Sequence, residues 1–327
     1  MQIIKVENLT KNYDYYSKEQ GLRNSFKNIF GRKKLVKEAV KSISFGVEAG
    51  EIVGFIGPNG AGKTTTLKML SGILVPTSGK AVVNNYTPWE RKKQFKMNFS
   101  IVMGQKTQLN FDLPALETFY LNKHIYEIPD NAFKQTLDEL LELLNVGDLA
   151  KKQVRRLSLG ERMKMEFIAA LLHKPKVLLL DEPTIGLDLV SQKSIREFIR
   201  YYNQKTGATI LLTSHYMGDI ESLCKRAIII NEGNIVYDGS LSDISADTGL
   251  VKILKIRLEK TVQKSELSRL GVVREYDDSS VTLEVPRDIL KETSKAILEE
   301  LPVLDFTIED VPIEDAISLI YAKGGDV

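Results

Sequence analysis

Short apolar runs recur through the first 240 positions and alternate with stretches of helical periodicity. Ile3 to Val6, Glu51 to Ile56, Ser100 to Val102, Val177 to Leu180, Thr209 to Thr213 and Ala227 to Ile230 read as strands. Several are too uniformly apolar to leave one face in water, which is the pattern of strands covered on both sides. Between them, Asn131 to Leu144 sets Phe133, Leu137, Leu140, Leu141 and Leu144 on one face behind a Pro129-Asp130 start, predicting an amphipathic helix. Buried strands alternating with helices predict an α/β sheet covered on both faces. Beyond position 240 the pattern changes. Val251 to Leu258 alternates, and Gly271 to Val285 predicts a hairpin turning at Asp277-Asp278-Ser279-Ser280. Asp288 to Leu301 reads as a helix, Val303 to Ile308 as a strand and Ile313 to Ala322 as a last helix. That is a small α+β unit.

Charge follows the same division. Residues 1–240 carry 34 Lys+Arg against 25 Asp+Glu, and residues 241–327 carry 11 against 18, so the net +2 averages a basic and an acidic unit. Turn formers at Gly239-Ser240-Leu241-Ser242-Asp243 place the expected boundary between domains 1–240 and 241–327. With 43% hydrophobic residues and little net charge, the composition excludes a disordered chain. The single cysteine, Cys224, excludes a disulfide framework and a Cys-rich zinc site, and three histidines leave little room for a multi-His centre. The strongest apolar runs are strand-sized, far short of the ~20 residues of a membrane-spanning helix. Met1 to Thr10 has no signal-peptide core, so a soluble intracellular protein is the expectation.

The candidate chemistry begins at Gly57-Pro58-Asn59-Gly60-Ala61-Gly62-Lys63-Thr64, which fits G-x-x-x-x-G-K-[ST] between an expected strand and an expected helix. Glycines at 57, 60 and 62 let backbone N–H groups converge on phosphate oxygens, and the helix start adds a positive dipole end. Lys63 would reach the β- and γ-phosphates, and Thr64, followed by Thr65, would join a Mg²⁺ shell. A glycine-rich turn is the bland alternative, and kinases, GTPases and many ATPases share the motif. Val177 to Leu180 delivers Asp181 and Glu182 at a strand end, where open α/β sheets bind ligands. Asp181 suits the Mg²⁺ shell and Glu182 suits the polarising of water. Leu157-Ser158-Leu159-Gly160-Glu161 also reads as a Ser-capped helix start, and His215 ends the strand-like Ile210 to Ser214.

In this order and spacing the set resembles the ATP-binding cassette (ABC) ATPases over about residues 1–240. The resemblance implies a P-loop NTPase fold with a RecA-like core, an antiparallel β-subdomain and a helical signature subdomain, followed by the small α+β C-terminal domain. It implies ATP and Mg²⁺ as cofactors. It assigns Tyr13 to adenine stacking, with Tyr15 and Tyr16 as close rivals, and Gln105 to sensing Mg²⁺ and the attacking water. Ser158 and Gly160 become signature residues that complete the ATP site of an opposite subunit. Glu182 becomes the catalytic base, Asp188 part of the dimer-contact loop, and His215 the switch histidine near the γ-phosphate. Leu159 and Glu161 depart from the usual Gly and Gln of the signature. Glu161 adds negative charge there, so dimer affinity or turnover is expected to differ.

One phosphate loop and one signature per chain imply a homodimer or heterodimer closing around two ATP. Its motion would drive a membrane permease encoded separately, with the chain cytoplasmic and peripheral on the inner face of the cell membrane. Glu309-Asp310-Val311-Pro312-Ile313-Glu314-Asp315-Ala316-Ile317 is similar to an element near the end of ABC-2-type exporter ATPases, implying an ABC-2-type permease, export, and a regulatory or dimer-stabilising C-terminal domain. A basic insertion at about 14–38 carries Leu22, Phe26, Ile29 and Phe30 at helical spacing, suited to an anionic membrane face, a partner or its own domain. A soluble ABC ATPase acting on DNA or ribosomes is the rival reading. The single cassette, the lack of a long coiled coil and the acidic C-terminal unit argue against it and against nucleic acid as a partner.

Overall fold

The computed structural model describes residues 1–16, 34–248 and 251–323, in two compact units divided after Gly239. The first unit runs β1 (Gln2–Tyr16), β2 (Lys34–Glu48), β3 (Ile52–Ile56), α1 (Lys63–Leu70), β4 (Ser78–Val83), β5 (Phe99–Met103), α2 (Ala115–Ile125) and α3 (Asp130–Leu143). It continues through α4 (Leu159–Leu171), β6 (Val177–Asp181), α5 (Leu189–Thr206), β7 (Thr209–Thr213), α6 (Met217–Leu223), β8 (Arg226–Asn231) and β9 (Asn234–Ser240).

A six-stranded sheet in the order β5-β6-β7-β3-β8-β9 carries the site. Neighbours from β5 through β8 pair in parallel, and β7 is buried along its whole length, which is why these strands read as unbroken apolar runs. Their register aligns Met103 with Asp181 and Asp181 with Thr213. The segments that follow β5, β6, β7 and β3 therefore leave the sheet along one carboxyl edge, where ligands bind in such sheets.

The second sheet, β2-β1-β4, is antiparallel. Its strands are far longer than the Ile3 to Val6 expected, because bulges hide their alternation. The β1–β2 register shifts between Val6 and Leu9, with Asn8 at φ 47°. The buried positions then fall at 4, 6 and 9 rather than at every second residue. In β2, Ser42 at φ 48° likewise separates buried Val40 from Ile43, Phe45 and Val47. The core of this unit lies between the two sheets, with the Phe45 and Phe55 ring centroids 5.6 Å apart. The β1–β2 ladder continues to the pair Tyr16 and Lys34. The ends of the supposed 14–38 insertion are thus strand residues, whereas Leu22, Phe26, Ile29 and Phe30 lie outside the described residues.

The second unit comprises α7 (Leu241–Thr248), β10 (Val251–Leu258), β11 (Val272–Tyr276), β12 (Ser280–Pro286), α8 (Leu290–Glu300), β13 (Val303–Asp310) and α9 (Ile313–Lys323). The turn formers read as the boundary end β9 and open α7. The Ser240 hydroxyl accepts a hydrogen bond from the Ser242 N–H at 3.2 Å, as a capping serine does. Four antiparallel strands lie in the order β11-β12-β10-β13. Leu254, Ile256 and Leu258 pack with Val281, Leu283, Val285 and Ile297 into a separate core. The hairpin turns where the sequence placed it. The Asp277 carboxylate accepts from the N–H groups of Ser279 and Ser280, both at 2.8 Å. Among the described residues no helix is long and apolar enough to cross a membrane. Cys224 is buried, and burial pushes its thiol up to about 12.

Candidate active site

Gly57 to Thr64 join β3 to α1. Gly62 adopts φ 112°, and a Cβ there would stand 2.6 Å from the Ala39 carbonyl oxygen, so only glycine closes the loop against β2. At Gly60 a Cβ would meet nothing within 4 Å, and the mouth of the loop is open. The Lys63 ammonium donates to the carbonyl oxygens of Gly57 at 2.5 Å and Pro58 at 3.1 Å. Burial pulls its pKa down, while Glu182 and Asp181 hold it up. A cleft of about 240 Å³ is lined by Asn59, Gly60, Gly62, Lys63, Thr64, Thr65 and Glu182, with Tyr13, Lys37 and Ala39 on its flank. Tyr13 lines it and Tyr15 does not, while the Tyr16 side chain lies outside the described residues. Lys37, absent from the sequence reading, arrives as the cross-strand partner of Tyr13.

The acids of β6 meet this loop. Asp181 Oδ1 accepts from Thr213 Oγ1 at 2.8 Å and from Thr64 Oγ1 at 3.4 Å. Thr64, Gln105, Asp181 and Glu182 line an adjoining cavity of about 170 Å³ together with Lys68, Met103 and Lys106. Oxygen donors with two carboxylates, Asp181 and Glu182, beside a phosphate-sized loop fit a hard divalent cation that arrives with phosphate. Among the described residues no group of three His, Cys, Asp or Glu side chains is arranged to hold a metal by itself.

Glu182 has φ 55°, a left-handed backbone that costs a non-glycine residue about 1 kcal/mol. Its N–H donates to the Thr213 carbonyl oxygen at 3.0 Å and to Thr213 Oγ1 at 3.1 Å, which holds the turn. The bend sends the carboxylate to His215, with Nε2 2.7 Å from Oε1. Oε2 is buried and has no hydrogen-bond partner. One oxygen is thus oriented and the other bare, which suits acceptance of a proton from water.

Behind this pair lies a buried network that the sequence reading missed. Asp219 is fully buried; its carboxylate accepts from Thr184 Oγ1, from Ser214 Oγ at 2.7 Å and from Arg196 Nη1 at 2.9 Å. Thr184 follows Glu182 by two residues and Ser214 precedes His215, so one carboxylate grips both loops of the pair. The polar Thr213-Ser214 step at the end of an apolar strand was the available signal.

Ser158 caps α4, as the bland reading held. Its hydroxyl accepts from the Glu161 N–H at 3.3 Å, and the Glu161 carboxylate accepts from the Ser158 N–H at 2.8 Å. The acid in the signature is therefore turned back onto its own helix start, a capping box. Leu159 takes the first position of the helix. A Cβ on Gly160 would fall 2.4 Å from Ser191 Oγ, so a side chain there would have to turn the Ser191 hydroxyl away from Asp188. Asp188 caps α5, accepting from the Ser191 N–H at 2.9 Å and hydroxyl at 2.7 Å, and these bonds lower its carboxyl pKa. Ser158, Gly160 and Asp188 line neither cavity. The chain assembles the loop, Tyr13, Gln105, Asp181, Glu182 and His215 at one place and leaves the signature apart from them.

Comparison with known proteins identifies the family. A family model described as ABC transporter matches residues 40–185, and one described as EvrA-like ABC transporter, C-terminal domain, matches residues 251–309. The ABC transporter ATP-binding protein NatA of Bacillus subtilis (strain 168) is 34% identical over 215 residues, covering 66% of this chain and 87% of NatA. The linearmycin resistance ATP-binding protein LnrL of the same organism is 34% identical over 232 residues, covering 71% of this chain and 73% of LnrL. A solved ATP-binding subunit of an ABC transporter superposes with TM-score 0.63 at 25% identity, covering 76% of this chain and 94% of that one. These are transporter subunits, which sets aside the reading of a DNA- or ribosome-directed ATPase. By sequence, fold and site, the chain is an ATPase of the family of ABC transporter ATP-binding proteins.

Proposed function

We propose that two copies of this chain, or this chain and a related ATPase subunit, close around two ATP molecules and drive a separate membrane permease. The observation that carries the reading is the Glu182–His215 pair beside the phosphate loop, with Glu182 Oε2 left bare. Tyr13 stacks on adenine, and the backbone of Gly57, Pro58, Asn59, Gly60, Ala61, Gly62, Lys63 and Thr64, extended by Thr65, cradles the phosphates. Thr64, Asp181 and Gln105 hold Mg²⁺, which when bound neutralises phosphate oxygens and orients them. Glu182 takes a proton from the attacking water while His215 fixes the carboxylate and reaches toward the γ-phosphate. Ser158 and Gly160 of one chain, with Asp188 at the seam, complete the site of the other. The separation of signature from loop within one chain supports that division of labour. Catalysis here is positioning and electrostatics.

The C-terminal element at Glu309 to Ile317 and the resistance role in the name of LnrL support an ABC-2-type permease and export. A chain of this kind works in the cytoplasm, docked on the inner face of the membrane. Glu182→Gln tests the reading: ATP binding is retained, turnover is abolished, and sizing chromatography with ATP gives a dimer. A monomer under those conditions would count against it.

A further inference from the structure

Glu166 sits in the middle of α4 among buried Met165, Phe167, Ile168 and Ala169, and is itself only 3% exposed. A carboxylate so placed is costly unless hydrogen bonds satisfy it. The segment that follows Gln105 supplies them. Thr107 Oγ1 donates to Oε1, the Gln108 N–H reaches both oxygens at 3.0 and 3.2 Å, and the Leu109 N–H lies 3.4 Å from Oε1. Around Gln105 itself, the Gly104 N–H donates to the Asp181 carbonyl oxygen at 2.8 Å and the Lys106 N–H to that of Met103 at 3.1 Å. Gly104 to Lys106 thus belong to the edge of the sheet, whereas Thr107 to Leu109 belong to α4. The joint falls between Lys106 and Thr107, and Gln105 lies on the sheet side of it. Gln105 lines the cavity with Thr64, Asp181 and Glu182, and also a second cavity of about 260 Å³ with Arg162, Met163 and Glu166.

We propose that Glu166 is a positioning residue: it fastens the segment after Gln105 to the signature helix, so that the Gln105 carboxamide follows Ser158 and Gly160 at that helix's start. The inference rests on the reading of Gln105 given under Proposed function. A motion of α4 relative to the sheet is passed to Gln105 through Lys106, because the segment from Thr107 onward is held by α4.

The test uses the full chain, with amide hydrogen exchange over residues 105–109 and the Mg²⁺ concentration that half-saturates ATP hydrolysis as readouts. Glu166→Ala is expected to lose protection at Gln108 and Leu109 and to raise the Mg²⁺ requirement about fivefold, with Mg²⁺-free ATP affinity held within about twofold. Glu166→Gln keeps an acceptor oxygen and recovers most of both effects. Thr107→Val removes one hydroxyl and shifts both readouts in the same direction. Should Glu166→Ala fail to fold, an unshifted Thr107→Val overturns the proposal. In a Gln105→Ala background, Glu166→Ala adds less than about twofold, because the two act as a unit. Shifts that multiply in full overturn the proposal. An altered Mg²⁺ requirement in Gln105→Ala with none in Glu166→Ala overturns the proposal alone, whereas no change in Gln105→Ala sinks the reading of Gln105 and the proposal with it.

Discussion

Asp219 illustrates how the site is held at the scale of single residues. Its carboxylate is the common acceptor for Thr184, Ser214 and Arg196, and it is fully buried. Asp219→Ala is expected to cost about 2–3 kcal/mol, since it leaves the Thr184 and Ser214 hydroxyls and the partly exposed Arg196 guanidinium without their acceptor. Urea denaturation at neutral pH measures this, and a loss below about 1 kcal/mol would show that water replaces the carboxylate. The residues proposed for direct chemistry could be named from the sequence because the phosphate loop and the strand-end acids stand in fixed local spacing. Asp219 and Glu166 were not, because each acts on a segment distant in the chain: Thr184 and Asp219 lie 35 positions apart, and Thr107 and Glu166 lie 59 apart. Glu161 was read as added charge near the signature, whereas its hydrogen bond to the Ser158 N–H gives it a local capping role.

At the scale of elements, His173 ties the ends of two helices to the sheet edge. It follows α4, stacks on Tyr126 at the end of α2 with ring centroids 3.8 Å apart, and donates from Nε2 to the Phe99 carbonyl oxygen at 3.1 Å. Burial pulls its pKa down to about 4 from an ordinary 6.5, the bond to Phe99 only partly opposing this. The folded state then binds fewer protons than the unfolded chain between those values. Its stabilising contribution is complete above pH 6.5 and is lost as pH falls toward 4, to a limit of about 3 kcal/mol. His173→Phe keeps the stack and removes the titration, so its stability should fall less steeply over that window. Parallel urea titrations of the two proteins check this, and equal slopes would refute it. Elements with clean periodicity, such as β6, β7 and α3, were visible in the sequence. Of β1 only Ile3 to Val6 was, and β2 and the bulges were not, since a shift at Asn8 or Ser42 erases the alternation that announces a strand.

For the molecule as a whole, each unit encloses its own core. A chain ending at Gly239 is expected to unfold cooperatively and to bind ATP as the full chain does, with calorimetry and nucleotide titration as the measurements. Aggregation or a non-cooperative melt would mean that the first unit depends on the second. The division was legible in the charge reversal and in the change of hydrophobic pattern. The helix that opens at Leu241 was not, because Ser and Asp start a helix as readily as they make a turn. The buried Cys224, with its thiol pushed up to about 12, has a practical consequence. A thiol reagent added to the native protein finds no reactive thiolate among the described residues. A cysteine introduced at an exposed position in each unit, such as Val190→Cys and Val272→Cys, would therefore carry a fluorophore or spin label without background. Natural sequence has left this chain ready for distance measurements between its two units during a nucleotide cycle.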